Sequence, residues 1–328
     1  ALALSKKYDL IVSSNPSLPA IAEKVLQAAP HQKVLLLDAY LTGNASIKTI
    51  GFNQYEQGYI NGYYAALISS SSMKHANAAY KIGLLAGQEF PVMNNEIRKG
   101  YEDGAKAVNA HFEVDFRVLG NWYDAAKAAE LTSSMIKNDV DVILTICGGG
   151  NAGAVAAARE HGAYIMWFDR PGYSYGKDIV VGATEIGQKN ACIDAVISAA
   201  EGRLTFGTPV TLGIKDNAVD FSFNGVPSAV PQEIIKQEKE LLATDNAEEF
   251  RQKGELLTTF LHQVPNDQDQ VTLDNYYTNQ PITIALDKAL TPSQNAQRYF
   301  KRYQKLKEAV KYLTELIEET KATILYLE

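Results

Sequence analysis

Cysteine is almost missing from this 328-residue chain. The two that occur, Cys147 and Cys192, sit in the apolar stretches LTICGGG and NACIDAVI, without CxxC or Cys/His spacing. That argues against a zinc site and leaves two buried free thiols as the expectation. Long apolar runs are missing too, since none approaches the roughly 18–20 residues that a membrane span needs. The opening ALALSKKYDLIVSSNP lacks the charged start, long apolar stretch and small-residue cleavage site of a signal peptide. Positive charge is not in excess: 31 Lys and Arg stand against 38 Asp and Glu, a formal net charge of -7. A surface of that balance is not expected to track nucleic acid or anionic lipid as a whole.

Catalytic groupings are equally thin. The five histidines, His31, His75, His111, His161 and His262, are scattered. No Ser or Cys stands in a nucleophile elbow, and no carboxylate pair stands out. The chain reads as a binder, not an enzyme, with no cofactor and no metal.

What is present is alternation. Hydrophobic residues make up 46% and charged residues 21%, an ordinary globular balance, and the length allows about two domains. Apolar, strand-like runs fall at 8–14, 33–41, 46–53, 80–87, 112–120, 140–147, 163–169 and 179–185. Helical periodicity separates them at 17–29, 56–72, 91–109, 124–138, 150–162 and 189–202. Near-continuous apolar strands between helices predict an α/β fold with parallel sheets covered on both faces. Two successive sheets, hinged, fit the length. The first strand follows the start almost at once, which predicts an earlier strand upstream to pair with it.

From about residue 232 the texture changes. Residues 232–264 are charged helix with Leu and Ile on one side, followed by short strands at 270–277 and 281–286. Pro292 and Ser293 suit the start of one long helix over 294–327. Its apolar stripe, from Tyr299 and Phe300 to Leu327, has spacings of three and four and calls for a helix partner. Arg298, Lys301, Arg302, Lys305 and Lys307 form a basic cluster whose ordinary meaning is a solvated helix face. The domain boundaries are therefore set at 1–231 and 232–328.

In open α/β sheets, ligands bind beyond the carboxyl ends of the strands. Three stretches lie at such junctions. CGGGNAG, residues 147–153, removes side chains so that backbone amides at Gly148, Gly149, Gly150 and Asn151 can approach a ligand, with a helix N-terminus behind them. No Gly-Lys-Ser/Thr follows, and the glycines do not fit GxGxxG. Trp122 stands where an aromatic can stack on a planar or sugar face, and the neighbouring Asp124 reads as a helix N-cap. Asp169 closes a strand beside Arg170 and Pro171, where its carboxylate can take two sugar hydroxyls or pair with Arg170.

In order, YDLIVSS, GFNQYEQGYINGYYAAL, KIGLLAGQEFPVMNNEIRKGYEDGAKAVN, LGNWYDAAKAAEL, DVILTICGGGNAGAVAAARE and VVGATEIGQKNACIDAVISAAEG resemble the BMP family of substrate-binding lipoproteins over residues 1–231. These are nucleoside-binding components of ABC importers with a two-lobed periplasmic-binding fold. The resemblance implies an extracytoplasmic binder with a small-molecule ligand and an ABC permease as partner. It implies Trp122 stacking on a purine, Gly148, Gly149 and Gly150 in the Gly-rich turn, and Asp169 on the ribose. Phe90 and Asn151, within the matching stretches, join the expected ligand set. Gln188 stands where the family has Lys. The family's first strand and helix, with a second stacking aromatic, would precede Ala1, leaving the first lobe incomplete.

NAEEFRQKGELLTTFLHQVPND…VTLDNYYTNQPITIALDKALTPSQNAQRYFKRYQKLKEA resembles the NFACT family, also called FbpA/PavA-type fibronectin-binding proteins, over about 238–328. That family acts in ribosome-associated quality control, in the cytoplasm or at the cell surface. Its nucleic-acid-recognising parts have no counterpart here. The chain therefore reads as a composite joined near 232–245, whether natural or made.

Overall fold

The computed structural model describes residues 5, 7–14, 18–77, 79–278, 280–301, 303 and 304. The chain divides into two compact units, Ala1–Glu238 and Lys239–Glu328. The division falls within one continuous helix.

The first unit begins with β1 (Leu10–Ser14), α1 (Leu18–Ala28), β2 (Lys33–Leu37), β3 (Ile47–Phe52), α2 (Gln54–Ser69) and β4 (Lys81–Ala86). Next come α3 (Arg98–Val108), β5 (Glu113–Val118), α4 (Ala125–Ile136), β6 (Val142–Ile146), α5 (Asn151–His161) and β7 (Tyr164–Trp167). It closes with β8 (Val180–Ile186), α6 (Gln188–Ala200), β9 (Val210–Leu212), β10 (Val219–Phe221) and the start of α7 (Gln232–Thr259).

These strands form two sheets, as the alternation predicts. The first has the order β1-β2-β3-β9 and is parallel, with β1 at its edge. The second has the order β10-β8-β7-β6-β4-β5 and is parallel except for β10. The chain crosses between the sheets after β3, after β8 and after β9. The strands β9 and β10, three residues each, are too short to show a period and were not visible in the pattern.

Both faces of β2 are covered, which is why its run Val34–Leu37 is apolar without a break. Val34 and Leu36 of β2 pack with Ala22 and Leu26 of α1. Leu35 and Leu37, pointing the other way, pack with Ala195 of α6. The second sheet has its own core, with Leu85, Ile143, Ile165 and Val180 among the buried residues. Cys147 is buried and Cys192 only half-buried, both free. The expectation of two buried thiols thus holds for the first alone; the second lies at the rim where α6 packs on the first sheet.

One helix pair fixes the frame. Gly58 and Gly62 of α2 face Gly100 and Gly104 of α3. A Cβ on Gly62 would lie 2.0 Å from the Tyr101 carbonyl oxygen, and one on Gly104 2.1 Å from that of Tyr59. The same holds for Gly58 against Ile97 at 2.4 Å and Gly100 against Tyr55 at 2.2 Å. The spacing of four puts each glycine pair on one helix face, so the two backbones touch directly. Just before this contact the helix predicted over 91–109 widens into a π turn at Met93–Ile97.

In the second unit, β11 (Gln270–Asn275) and β12 (Gln280–Ala285) form an antiparallel hairpin in the register Gln270↔Ala285. Leu256, Leu257, Val264, Leu273, Ile284, Leu286 and Ala296 make its core. Residues 292–301 are helical. The start is set by Thr291 and Gln294, which exchange side-chain and backbone hydrogen bonds as a capping box at 3.3 and 2.8 Å. The long helix expected to 327 lies outside the described residues beyond 304.

Gly62→Ala should destabilise the protein by about 2–3 kcal/mol or prevent folding, since backbone cannot move aside as a side chain can. Gly51→Ala, whose Cβ would meet nothing nearer than 3.5 Å, should change stability by less than about 1 kcal/mol. Urea unfolding followed by circular dichroism checks both.

Candidate functional site

The expected ligand residues fall at the carboxyl ends of the second sheet's strands, as the junction argument requires. Trp122 follows β5 and is 39% exposed. Its indole N–H donates to Gln88 Oε1 at 3.1 Å, and Phe90 lies 6.4 Å away, ring centre to ring centre. Gly87 makes room for the indole: a Cβ there would sit 2.4 Å from Trp122 Cε3. The Trp122 carbonyl accepts the Gly149 N–H at 2.8 Å. Gly148 adopts φ +58°, and a Cβ there would stand 2.8 Å from that same carbonyl. Phe90, Trp122, Gly148 and Gly149 are thus one cluster. Asp124 caps α4 by accepting the Lys127 N–H at 3.0 Å.

Gly150 and Asn151 turn inward. A Cβ on Gly150 would meet Leu119 at 2.8 Å, which places it against the core. Asn151 Oδ1 accepts from Thr145 Oγ1 at 2.9 Å and from the Cys147 N–H at 2.8 Å, tying the end of β6 to α5. Gln188 opens α6 and donates to Ser14 Oγ at the end of β1. No hydrogen bond joins it to Asp169.

Asp169 ends β7, the strand next to β6, with φ +68°. It does not pair with Arg170, whose guanidinium turns to Tyr175. That arginine donates to the Tyr175 hydroxyl at 3.0 Å and lies 5.4 Å over its ring, while Tyr175 stacks on Trp167 at 4.8 Å. Asp169 is open to solvent, yet protein crowds its carboxyl. That shielding, together with the charge of Asp38, pushes its pKa up to about 6 against the opposing pull of Gln57 and Arg170.

Asp38 was not anticipated. It ends β2 in the first sheet, takes φ +52°, and its pKa is raised by burial. A carboxylate pair that no local pattern shows is therefore assembled from the strand ends of two sheets. The signal that could have found Asp38 is the one that found Asp169, an acid directly after a buried apolar run. Helix α2 holds both: Gln54 Nε2 donates to Asp38 Oδ1 at 3.4 Å, and Gln57 Nε2 to Asp169 Oδ1 at 3.2 Å.

The arrangement offers an exposed aromatic face, backbone at a Gly-rich turn and two acceptor carboxylates. Burial pushes the Cys147 thiol up to about 11, which makes it a poor nucleophile. Among the described residues no group of three or more His, Cys, Asp or Glu could hold a metal ion. Among the same residues no helix is long and apolar enough to cross a membrane.

Stability should report on this carboxyl. Its folded pKa of about 6 lies above the ordinary 3.8, so its ionisation costs stability as pH rises through 6. Asp169→Asn should therefore be more stable than the parent at pH 7.5, and that advantage should shrink by pH 5. Melting temperatures of both proteins across this range measure it; an advantage constant with pH would contradict the shift.

The family model for PnrA-like ABC transporter substrate-binding proteins, Bmp, matches residues 2–250. The model for NFACT N-terminal and middle domains matches residues 229–328. A CD4+ T-cell-stimulating antigen of Listeria monocytogenes is 26% identical over 236 residues, 67% of this chain and 64% of that protein. Basic membrane protein A of Borreliella burgdorferi is 25% identical over 239 residues, 67% of this chain and 66% of that protein. At the other end, the Rqc2 homolog RqcH of Streptococcus pneumoniae is 96% identical over 93 residues, 28% of this chain. The chain spans only 17% of that relative's length. Two solved structures share the fold: a transcriptional activator of the comK gene from Bacillus halodurans and ABC transporter solute-binding proteins from Aeropyrum pernix. The first has a TM-score of 0.61 at 22% identity, covering 74% of this chain and 79% of its own. The second has a TM-score of 0.60 at 20% identity, covering 97% and 77%.

Proposed function

The chain belongs, over residues 2–250, to the family of PnrA-like ABC transporter substrate-binding proteins, and on that premise we propose that its first unit captures a purine nucleoside. The observation that supports this reading is that an exposed indole and two carboxylates from different sheets all lie at the carboxyl ends of strands. In it the base stacks on Trp122 beside Phe90, and Asp169 accepts sugar hydroxyls. Asp38 accepts a further donor from the opposite side. Gly148 and Gly149 let backbone approach the ligand. Gly150, Asn151 and Gln188 serve this site through the backbone they hold. The protein acts outside the membrane as the solute-binding partner of an ABC permease, and performs no chemistry on its ligand.

A donor-rich, uncharged ligand fits a wall of acceptors, whereas an anion would meet two carboxylates. Adenosine, guanosine or inosine at millimolar concentration should raise the melting temperature, because a ligand that binds the folded state alone stabilises it. Trp122→Ala should weaken affinity by about 10- to 100-fold, the range for loss of one base–aromatic stack. Asp169→Ala should cost about the same, for loss of hydrogen bonds to a charged group. Isothermal titration measures both, and absence of any nucleoside effect on the parent protein sinks the proposal.

A second reading rests on the 96% identity of the back segment to RqcH. In it residues 229–328 act as an interaction segment of the ribosome quality-control or fibronectin-binding type. The intact chain should then bind large ribosomal subunits or immobilised fibronectin, and Trp122→Ala should leave that binding unchanged. Failure to bind either removes this reading.

A further inference from the structure

The ligand face depends on a side chain that never reaches it. Gln57, in the first turns of α2, is 0% exposed. Its Nε2 spends both hydrogens, one on Asp169 Oδ1 at 3.2 Å and one on Thr184 Oγ1 at 3.1 Å. Asn61, one turn on and equally buried, donates to the same Thr184 oxygen at 2.7 Å and to the Gln57 carbonyl at 2.9 Å. Among the described residues no other side chain donates to Asp169. We propose that Gln57 is a positioning residue for the ligand site, holding the Asp169 carboxylate as an acceptor from inside the protein. This rests on the reading that Asp169 meets the ligand.

Three observations carry it. The amide orientation is fixed, because a flip would set Gln57 Oε1 against a carboxylate oxygen of Asp169. The helix that carries Gln57 cannot slide, since its neighbour Gly58 lies against the backbone of Ile97. The network is also one-sided: every amide donor is used toward Thr184, Asp169 or the helix, while Gln57 Oε1 and Asn61 Oδ1 are buried without partners. Two unpartnered buried acceptors cost stability. A packing role for Gln57 would be filled better by an apolar residue, so the cost points to what the donors do for Asp169. The charged groups that bear on Asp169 are Asp38, which opposes its ionisation, and Arg170, which favours it. Without Gln57 only Arg170 remains on the favourable side.

The test compares the parent with Gln57→Met, which keeps the volume and loses the donor. Thr184→Val serves as a second variant, since it removes the anchor that orients the amide. The Asp169 carboxyl is titrated by carbon NMR in the ligand-free protein, and affinity for adenosine, guanosine and inosine is measured from pH 5 to 8. Gln57→Met should move the Asp169 midpoint upward by about half to one pH unit, Thr184→Val by less. Affinity at pH 6 should drop about two- to fivefold below the parent's, while at pH 8 it stays near it. A merely structural role would lower the melting temperature without moving the midpoint or the pH profile. Folded variants with an unmoved midpoint overturn the proposal. A moved midpoint in a protein that binds no nucleoside upholds the positioning role and overturns the ligand assignment instead.

Discussion

In the first unit two helices meet backbone to backbone, and the candidate ligand face hangs from one of them. Four glycines, two on α2 and two on α3, let carbonyls of each helix occupy the space where side chains of the other would stand. Close packing of this kind gives a contact with no soft atoms in it, so the position of α2 is set rigidly. That matters because α2 leaves the first sheet after β3 and packs on the second. Its first turns carry Gln54 and Gln57 to the two carboxylates and Glu56 to the Ile214 N–H, at 2.8 Å, just beyond β9. One helix thereby reads the ends of both sheets.

The site is built against stability. Asp38 and Asp169 have raised pKa values, both chiefly because surrounding protein desolvates their carboxyls, and Asp38 adds to the burden on Asp169. Three amide oxygens nearby in the network, on Gln54, Gln57 and Asn61, have no donor. Both aspartates also sit in the left-handed backbone region, where a non-glycine residue is uncommon. Such features persist where the surrounding structure over-determines them, and they cluster at binding sites.

The two resemblances meet in α7. The unit boundary follows Glu238, whose side chain is wholly buried with neither carboxyl oxygen partnered. Burial, and then the charge of Asp220, pushes its pKa well above the usual range. The residues here fall inside both family matches, 2–250 and 229–328. Helix α7 runs unbroken through this overlap, and Glu238 is buried within it with no partner for its carboxyl oxygens.

Local physics made much of this protein legible. Apolar runs of strand length between periodic helices determined the parallel α/β architecture, because each strand buried on both faces must be apolar throughout. Asp124 as an N-cap is an interaction across three residues, and sequence shows it directly. The Thr291–Gln294 box is as short in reach but came from the structure, where the sequence had offered Pro292 and Ser293. The Gly-rich turn and the strand-end Trp122 and Asp169 were visible by position alone. What only the tertiary structure decided is non-local. Strand order β10-β8-β7-β6-β4-β5 set Trp122 over Gly148, and three crossings between sheets brought Asp38 within electrostatic reach of Asp169. Gln57 in the sequence is one more polar residue on a helix. Its meaning comes from the glycine contact that fixes where that helix lies, and no period or composition encodes such a contact.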